Sequence, residues 1–479
     1  PVSGEAGTCN ITLTAISENI TGSVRTATLT LTSGTLTQNI IIEQEPAEFV
    51  NLEQNIYNVS VEGGELDIRF STNIAEDELL IYGSLGTGTW LTQETKTRAS
   101  SSYMLNLTVL PNTDGVSRTA YIYFVKVTDM ESIVVEIVTI IQRGEVASES
   151  TDYSSDKKVR VLQTAKLGKG LPIVLMGDGF IDTEINDGTY DAVMDKAFEN
   201  LFTEEPIKSL RDYFNVYAVT AVSKHNIFGT GYETALGCEL AGGNSTGISG
   251  EDNAVQRYVQ CVDNIDMSET LAVVILNSPA YAGTTYFGYT NQTKVVEFAI
   301  AYCPVIYDLQ SESFRQVLVH EAVGHGFAKL EDEYAYQENG TISSKEIKNV
   351  QYLQTLGWAQ NVDFTSDPSQ VLWSAFLNDN RYVSEKLGVF EGACTYIKGA
   401  YRPSEESMMR SNILGFNAPS RKALYDRTMK TATGASKSTY EEFVEFDLRN
   451  GGRTRSTAVY VEPGKPFAHP RFVNKALIK

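Results

Sequence analysis

The stretch Val319-His320-Glu321-Ala322-Val323-Gly324-His325-Gly326 decides how this 479-residue chain is read. Of its four histidines, His225, His320, His325 and His469, two fall here, and a glutamate directly follows the first. Upstream, Phe314, Val317 and Leu318 recur at helical spacing, so the segment lies on an amphipathic helix. In the His-Glu-x-x-His metal-binding pattern both imidazoles share one helical face. Here one more residue stands between them. At about 100° per residue, five steps turn the second imidazole roughly 140° from the first. A local π-turn absorbs an extra residue and restores the common face, and Gly324 stands where that distortion meets least steric resistance.

Two imidazoles leave a tetrahedral zinc short of a protein ligand, because a catalytic site uses three and keeps one position open. Asp332 follows within Leu330-Glu331-Asp332-Glu333-Tyr334, and Gly326 would let the chain leave the helix and fold back. Glu331, Glu333 and the remote Glu391 compete with Asp332 as the oxygen ligand. Glu321 is the candidate general base, taking a proton from water that zinc acidifies to a pKa of about 7.

Downstream, Tyr401-Arg402-Pro403-Ser404-Glu405-Glu406-Ser407-Met408-Met409-Arg410 offers a second constellation. Met408 or Met409 suits a methionine turn beneath the metal, and plain core packing fits them equally. Tyr401 and Arg402 are candidates to stabilise an oxyanion, with a structural ion pair as the other reading of Arg402.

Around this segment the sequence alternates strand and helix. Leu171 to Met176, Val216 to Val222 and Leu271 to Leu276 read as strands, and Tyr190 to Leu201 and Asn253 to Val262 as helices. Such alternation means an α/β layer with a central sheet over 159–479. Ala280 to Gly288, rich in Gly, Tyr and Thr, reads as an exposed, mobile loop. The Ser/Asp/Glu/Lys-rich stretch 145–158 reads as a flexible connector.

Before it lie two β-patterned zones, 1–46 and 47–144, with period-2 alternation as in Thr28-Leu29-Thr30-Leu31-Thr32. The second partly repeats the first. Asn10-Ile11-Thr12-Leu13-Thr14, Arg25-Thr26-Ala27 and Ile40 to Gln44 correspond to Leu105 to Val109, Arg118-Thr119-Ala120 and Ile137 to Gln142. The front half of the second copy, Ile56 to Asn73 with Trp90-Leu91, has no counterpart, so Pro1 reads as starting inside a partial domain. Trp90 and Tyr121 read as core rather than as a binding platform.

The net charge, 39 − 60 = −21, argues against nucleic acid or an anionic membrane as partner. No run reaches the ~18 apolar residues of a membrane span. Five cysteines are too few for a disulfide framework; Cys238 and Cys261 are close enough in sequence to pair and fit equally well as buried free cysteines.

These stretches carry two resemblances. Gly63-Gly64, Ser71-Thr72-Asn73, Trp90-Leu91 and the Arg-Thr-Ala and Ile-Gln strands resemble the BACON-type domain. This implies an immunoglobulin-like β-sandwich, an extracytoplasmic address (secreted or attached to the outer surface) and either binding of glycan or mucin or a spacer without a ligand. Met176-Gly177-Asp178-Gly179-Phe180, the His320 to Tyr334 segment and the Arg402 to Arg410 segment resemble the IgA-peptidase family of zinc metallopeptidases, in its gut-bacterial branch. The expected chain is therefore multidomain, with β-sandwiches followed by a zincin-like α/β domain. The second resemblance implies one zinc ion held by His320, His325 and Asp332, Glu321 as catalytic glutamate, and a protein or peptide substrate. Asp178 reads as a strand-end cap or turn carboxylate rather than a ligand. An exopeptidase of similar metal chemistry, or a metal-free surface adhesin, is the alternative.

Overall fold

Alternation in the N-terminal third becomes antiparallel sheet because every second side chain faces the same side. The computed structural model describes residues 13–15, 19, 24–84, 90–99, 102–112, 117–128, 132–142, 144, 148–229, 232–241, 245–336, 339–435, 438–451 and 468–478. Arg25–Ser33 and Leu36–Gln44 form a hairpin in which Arg25 faces Gln44. Its second copy pairs Arg118–Val127 with Ser132–Gln142, and Arg118 faces Gln142. In both, the arginine Nε donates to the glutamine Oε1, at 2.6 and 2.8 Å, across 19 and 24 residues. The longer copy absorbs part of its extra length in a register shift between Val134 and Glu136. Positions 10–12 of the expected first repeat lie outside the described residues.

Two four-stranded sheets make up the sandwich. One runs in the order Ile56–Val59, Ser132–Gln142, Arg118–Val127, Leu79–Gly83. The other runs Val50–Leu52, Gly64–Thr72, Ser102–Val109, Leu91–Ala99. Ile68, Phe70, Leu105, Phe124, Val138 and Ile140 fill the space between them. Trp90 and Tyr121 are buried, and the Arg118 guanidinium lies 4.5 Å from the Trp90 ring centre.

In the expected connector, positions 145–147 lie outside the described residues. The rest is tied down rather than loose. Ser150 is buried with its N–H on the Lys224 carbonyl (2.8 Å), and Asp182 Oδ2 accepts from the N–H groups of Thr151 and Asp152. These partners come from segments 30 or more residues along the chain, which composition alone does not reveal.

Beyond it lies a seven-stranded sheet ordered Val159–Gln163, Phe214–Val219, Leu171–Asp178, Leu271–Leu276, Ala299–Pro304, Thr284–Phe287, Arg471–Phe472. Central neighbours are parallel, and Thr284–Phe287 runs antiparallel to Ala299–Pro304. Every residue of Leu271–Leu276 is buried, as expected for a strand covered on both faces. Val273 and Ile275 point to the layer holding Thr189–Leu201 and the histidine helix, whereas Ala272, Val274 and Leu276 meet Asp252–Val259.

The Ala280 to Gly288 stretch corrects the loop expectation. Residues 280–285 are buried, and Thr284–Phe287 is a sheet strand packed on the histidine helix. Its Gly and Thr residues permit close approach of backbone to helix. Cys238 and Cys261 are free thiols, so that pair does not form, and Cys9 lies outside the described residues. Among the described residues no helix is long and apolar enough to cross a membrane.

Candidate metal centre

Ser311 caps the helix Glu312–Leu318 by accepting from the Phe314 N–H, and the chain then continues as a π-helix over Val319–Phe327. The wider turn is what the five-residue histidine spacing demands, and it brings the two rings to a centroid separation of 4.7 Å. All nine residues of the π-helix are buried. A Cβ on Gly324 would collide with Met409 Sδ, so this glycine lets the methionine pack directly beneath the turn. Gly326 is not the exit from the helix. A Cβ there would come within 2.6 Å of Leu271 Cδ1, so Gly326 serves close packing on the sheet. The chain leaves two residues after the helix, at Lys329, whose φ is +55°. The buried Lys329 ammonium donates to the carbonyls of Glu297 (2.8 Å) and Gly326.

Both imidazoles are fixed from behind. His320 Nδ1 lies 2.8 Å from the Met408 carbonyl and His325 Nδ1 lies 2.7 Å from the Leu330 carbonyl. A carbonyl only accepts, so each Nδ1 carries a proton and each ring turns its Nε2 inward. The two Nε2 atoms are 3.0 Å apart, and Asp332 Oδ1 lies 3.1 Å from one and 3.4 Å from the other. Two lone pairs and a carboxylate oxygen converging in a buried space repel one another unless a cation or proton sits among them. Burial opposes charge on His325, but Asp332 overrides it and raises the imidazole to about 9. Burial likewise opposes ionisation of Asp332, yet the surrounding imidazoles hold its carboxyl well below the usual range. An arrangement that gathers a proton this strongly also suits a divalent cation. Among the described residues, His320, His325 and Asp332 are the group whose ligand atoms all lie within 4.8 Å of one another.

Glu321 is fully buried beside them, and burial raises its carboxyl above the ordinary value. Thr285 Oγ1 lies 2.7 Å from Glu321 Oε2 and 2.9 Å from the Glu321 carbonyl. The other oxygen, Oε1, has no hydrogen-bond partner among the described residues. Gly283 leaves room at that atom, since a Cβ there would stand 2.9 Å from it.

The other carboxylates of the acidic cluster face elsewhere. Glu333 accepts from Ser407 Oγ (2.7 Å), Asn361 Nδ2 (2.9 Å) and Asn417 Nδ2 (2.9 and 3.0 Å), binding its loop to the methionine turn. Glu331 is buried, with Oε2 3.5 Å from His469 Nε2. Glu391 accepts from the Gly399 N–H within its own hairpin. Met408 acts through its carbonyl and Met409 through its sulfur. Tyr401 and Arg402 do not join the group. Arg402 donates to the carbonyls of Glu391, Gly392 and Ser404, and Tyr401 packs in the cluster around Trp373. Asp178 ends its strand and caps the remote 223–238 segment, accepting from Ser223, Thr234, Leu236 and Cys238.

Residues 159–384 match the family IgA Peptidase M64. That match supports a peptidase reading of the α/β unit. Residues 1–45 and 76–143 match the BACON family, described as a putative N-terminal binding domain. No curated protein matches the chain. Solved structures sharing some likeness include an endo-fucoidan hydrolase from glycoside hydrolase family 107, at 13% identity and TM-score 0.15, covering 26% of this chain and 19% of that one. A Bacteroides ovatus GH5 xyloglucanase complexed with a heptasaccharide follows at 14% and 0.16, covering 48% of this chain and 47% of that one. The GspB Siglec domain stands at 14% and 0.16, covering 36% of this chain and 96% of that one. TM-scores this low carry no argument about fold or function.

Two residues near the candidate metal centre escape sequence reading. Thr285 is hidden in what reads as a loop. His469 reaches Asp332 Oδ2 at 2.8 Å from 137 residues away, and its only signal was the scarcity of histidine.

Proposed function

We propose that the chain is a zinc-dependent endopeptidase, with His320, His325 and Asp332 as ligands and Glu321 as general base. The observation that carries this is the convergence of two oriented Nε2 lone pairs and Asp332 Oδ1 beside a buried glutamate oxygen lacking a partner. Two imidazoles and one carboxylate match the donor set of a catalytic zinc site that keeps a position open. Zinc bound there would supply a water acidified to a pKa of about 7 and polarise the scissile carbonyl.

The chain's own residues do the rest. Thr285 engages Glu321 Oε2, leaving Oε1 as the atom that takes the proton and passes it to the leaving amine. The Met408 and Leu330 carbonyls hold both rings in the Nδ1–H tautomer. Burial of Glu321 raises its proton affinity toward what a base working near neutral pH needs.

The nearby Asp332 supports the endopeptidase reading over the exopeptidase alternative, whose third ligand would be a glutamate on a separate helix. A metal-free adhesin would have no use for an unpartnered buried carboxylate oxygen, which costs stability. The BACON match supports an extracytoplasmic protein, secreted or surface-attached, whose β domains meet glycan or mucin while the peptidase acts on protein. The test is zinc content and hydrolysis of a denatured-protein library by wild type and Glu321→Gln. A wild type without bound zinc, or a variant with normal turnover, defeats the reading.

A further inference from the structure

We propose that His469 is a positioning residue for the metal centre, delivered by the last strand of the sheet to hold Asp332 in its ligand orientation. The proposal rests on the zinc reading of His320, His325 and Asp332.

Asp332 is fully buried, and its Oδ1 faces the two Nε2 atoms. Without a partner on Oδ2 the carboxylate would be free to rotate and aim either oxygen elsewhere. His469 Nδ1 occupies that place at 2.8 Å, and its other nitrogen lies 3.5 Å from Glu331 Oε2. Both ring nitrogens therefore face carboxylates and neither joins the converging ligand atoms. The imidazole braces a ligand and is not itself one.

The strand carrying it is firmly docked. Arg471–Phe472 pairs in parallel with Tyr286 and Phe287, and the Val473 N–H donates to the Phe287 carbonyl at 2.9 Å. Thr290 then exchanges hydrogen bonds with Lys475 and Leu477, and Lys475 Nζ lies 2.6 Å from Asp252. Pro470, directly after His469, restricts the backbone next to the imidazole. A brace anchored on the strand that also carries Thr285 ties the ligand carboxylate and the proton-accepting glutamate to one rigid element. Residues 468–478 lie outside the matched 159–384, so the peptidase family match does not include this part.

The test uses full-length His469→Ala and His469→Asn. Zinc affinity is measured by competition with a chromophoric chelator, and thermal midpoints are measured on the metal-free proteins. An asparagine amide N–H takes the place of Nδ1–H, whereas alanine leaves Oδ2 without a donor. We expect alanine to weaken zinc binding about 10–100-fold, asparagine to stay within a few-fold of wild type, and the metal-free midpoints to agree. Equal affinity in all three proteins overturns the proposal. So does an equal loss in both variants with lowered midpoints, which would mean strand docking alone matters. Unchanged affinity with faster peptide turnover in His469→Ala would make the strand an occluding strap instead, and also overturns it. A wild type that binds no zinc would sink the zinc reading itself, a different failure.

Discussion

Buried polar groups play opposite parts in the two halves of this molecule. In the β-sandwich, Gln142 is fully buried and fully used: it accepts from Arg118 Nε and donates to the carbonyls of Ser60 and Leu110. Its bonds close one copy of the fold. In the peptidase domain, Glu321 and Glu331 are equally buried, yet each keeps an oxygen without a hydrogen-bond partner among the described residues. Glu333, next to them, is saturated like Gln142. Gln142 and Glu333 spend their bonds closing structure, whereas Glu321 keeps an oxygen for the proton it is proposed to take.

Substitutions can break or sharpen that contrast. The largest effect should come from Glu321→Gln: peptide hydrolysis falls about 10²–10⁴-fold while zinc binding and thermal midpoint persist. Loss of fold or zinc in that variant would erase the distinction drawn here. Next, Asp332→Ala should weaken zinc binding by more than about 100-fold, and Glu331→Ala by about tenfold or less. Zinc titration of both decides which carboxylate is the ligand. Glu333→Ala belongs with the structural class. It removes the acceptor of Ser407 and one acceptor each of Asn361 and Asn417, which keep the Glu331 carbonyl and Ser404 Oγ, so it should lower stability by on the order of 2–4 kcal/mol in chemical denaturation. Gly283→Ala should place a methyl group at Glu321 Oε1 and reduce kcat about tenfold or more with zinc affinity intact. Smallest is a matched pair in the two hairpins. Gln142→Ala should cost about 1–3 kcal/mol, and Gln44→Ala less than about 1, neither altering peptidase activity.

That pair also marks how far the sequence carries. Arg25 with Gln44 and Arg118 with Gln142 are legible as a repeat, and both become the same hairpin with the same side-chain bond. Their burial differs completely. Leu36 and Ile41 are 76% and 68% exposed, while Phe124 and Ile140 are 0% exposed under a second sheet. The need for a π-turn was likewise legible, because imidazoles five positions apart cannot share a face on a 3.6-residue helix. The connector and the Ala280 to Gly288 loop were misread, since polar or small residues look loose until their backbone partners are known.

By itself the sequence determined the local geometry: strand alternation, the two hairpins, the π-turn, and the adjacency of His320, Glu321 and His325, all set within one element or between chain neighbours. Only the tertiary structure decided which of three consecutive carboxylates turns inward, why Arg402 serves the backbone, and that Thr285 and His469 stand at the site. The physical reason is distance along the chain. Glu333 is drawn away by Ser407 and Asn417, and Asp332 is met by a histidine 137 residues on. Such contacts form only when a folded sheet brings remote segments together, and no short-range pattern encodes them.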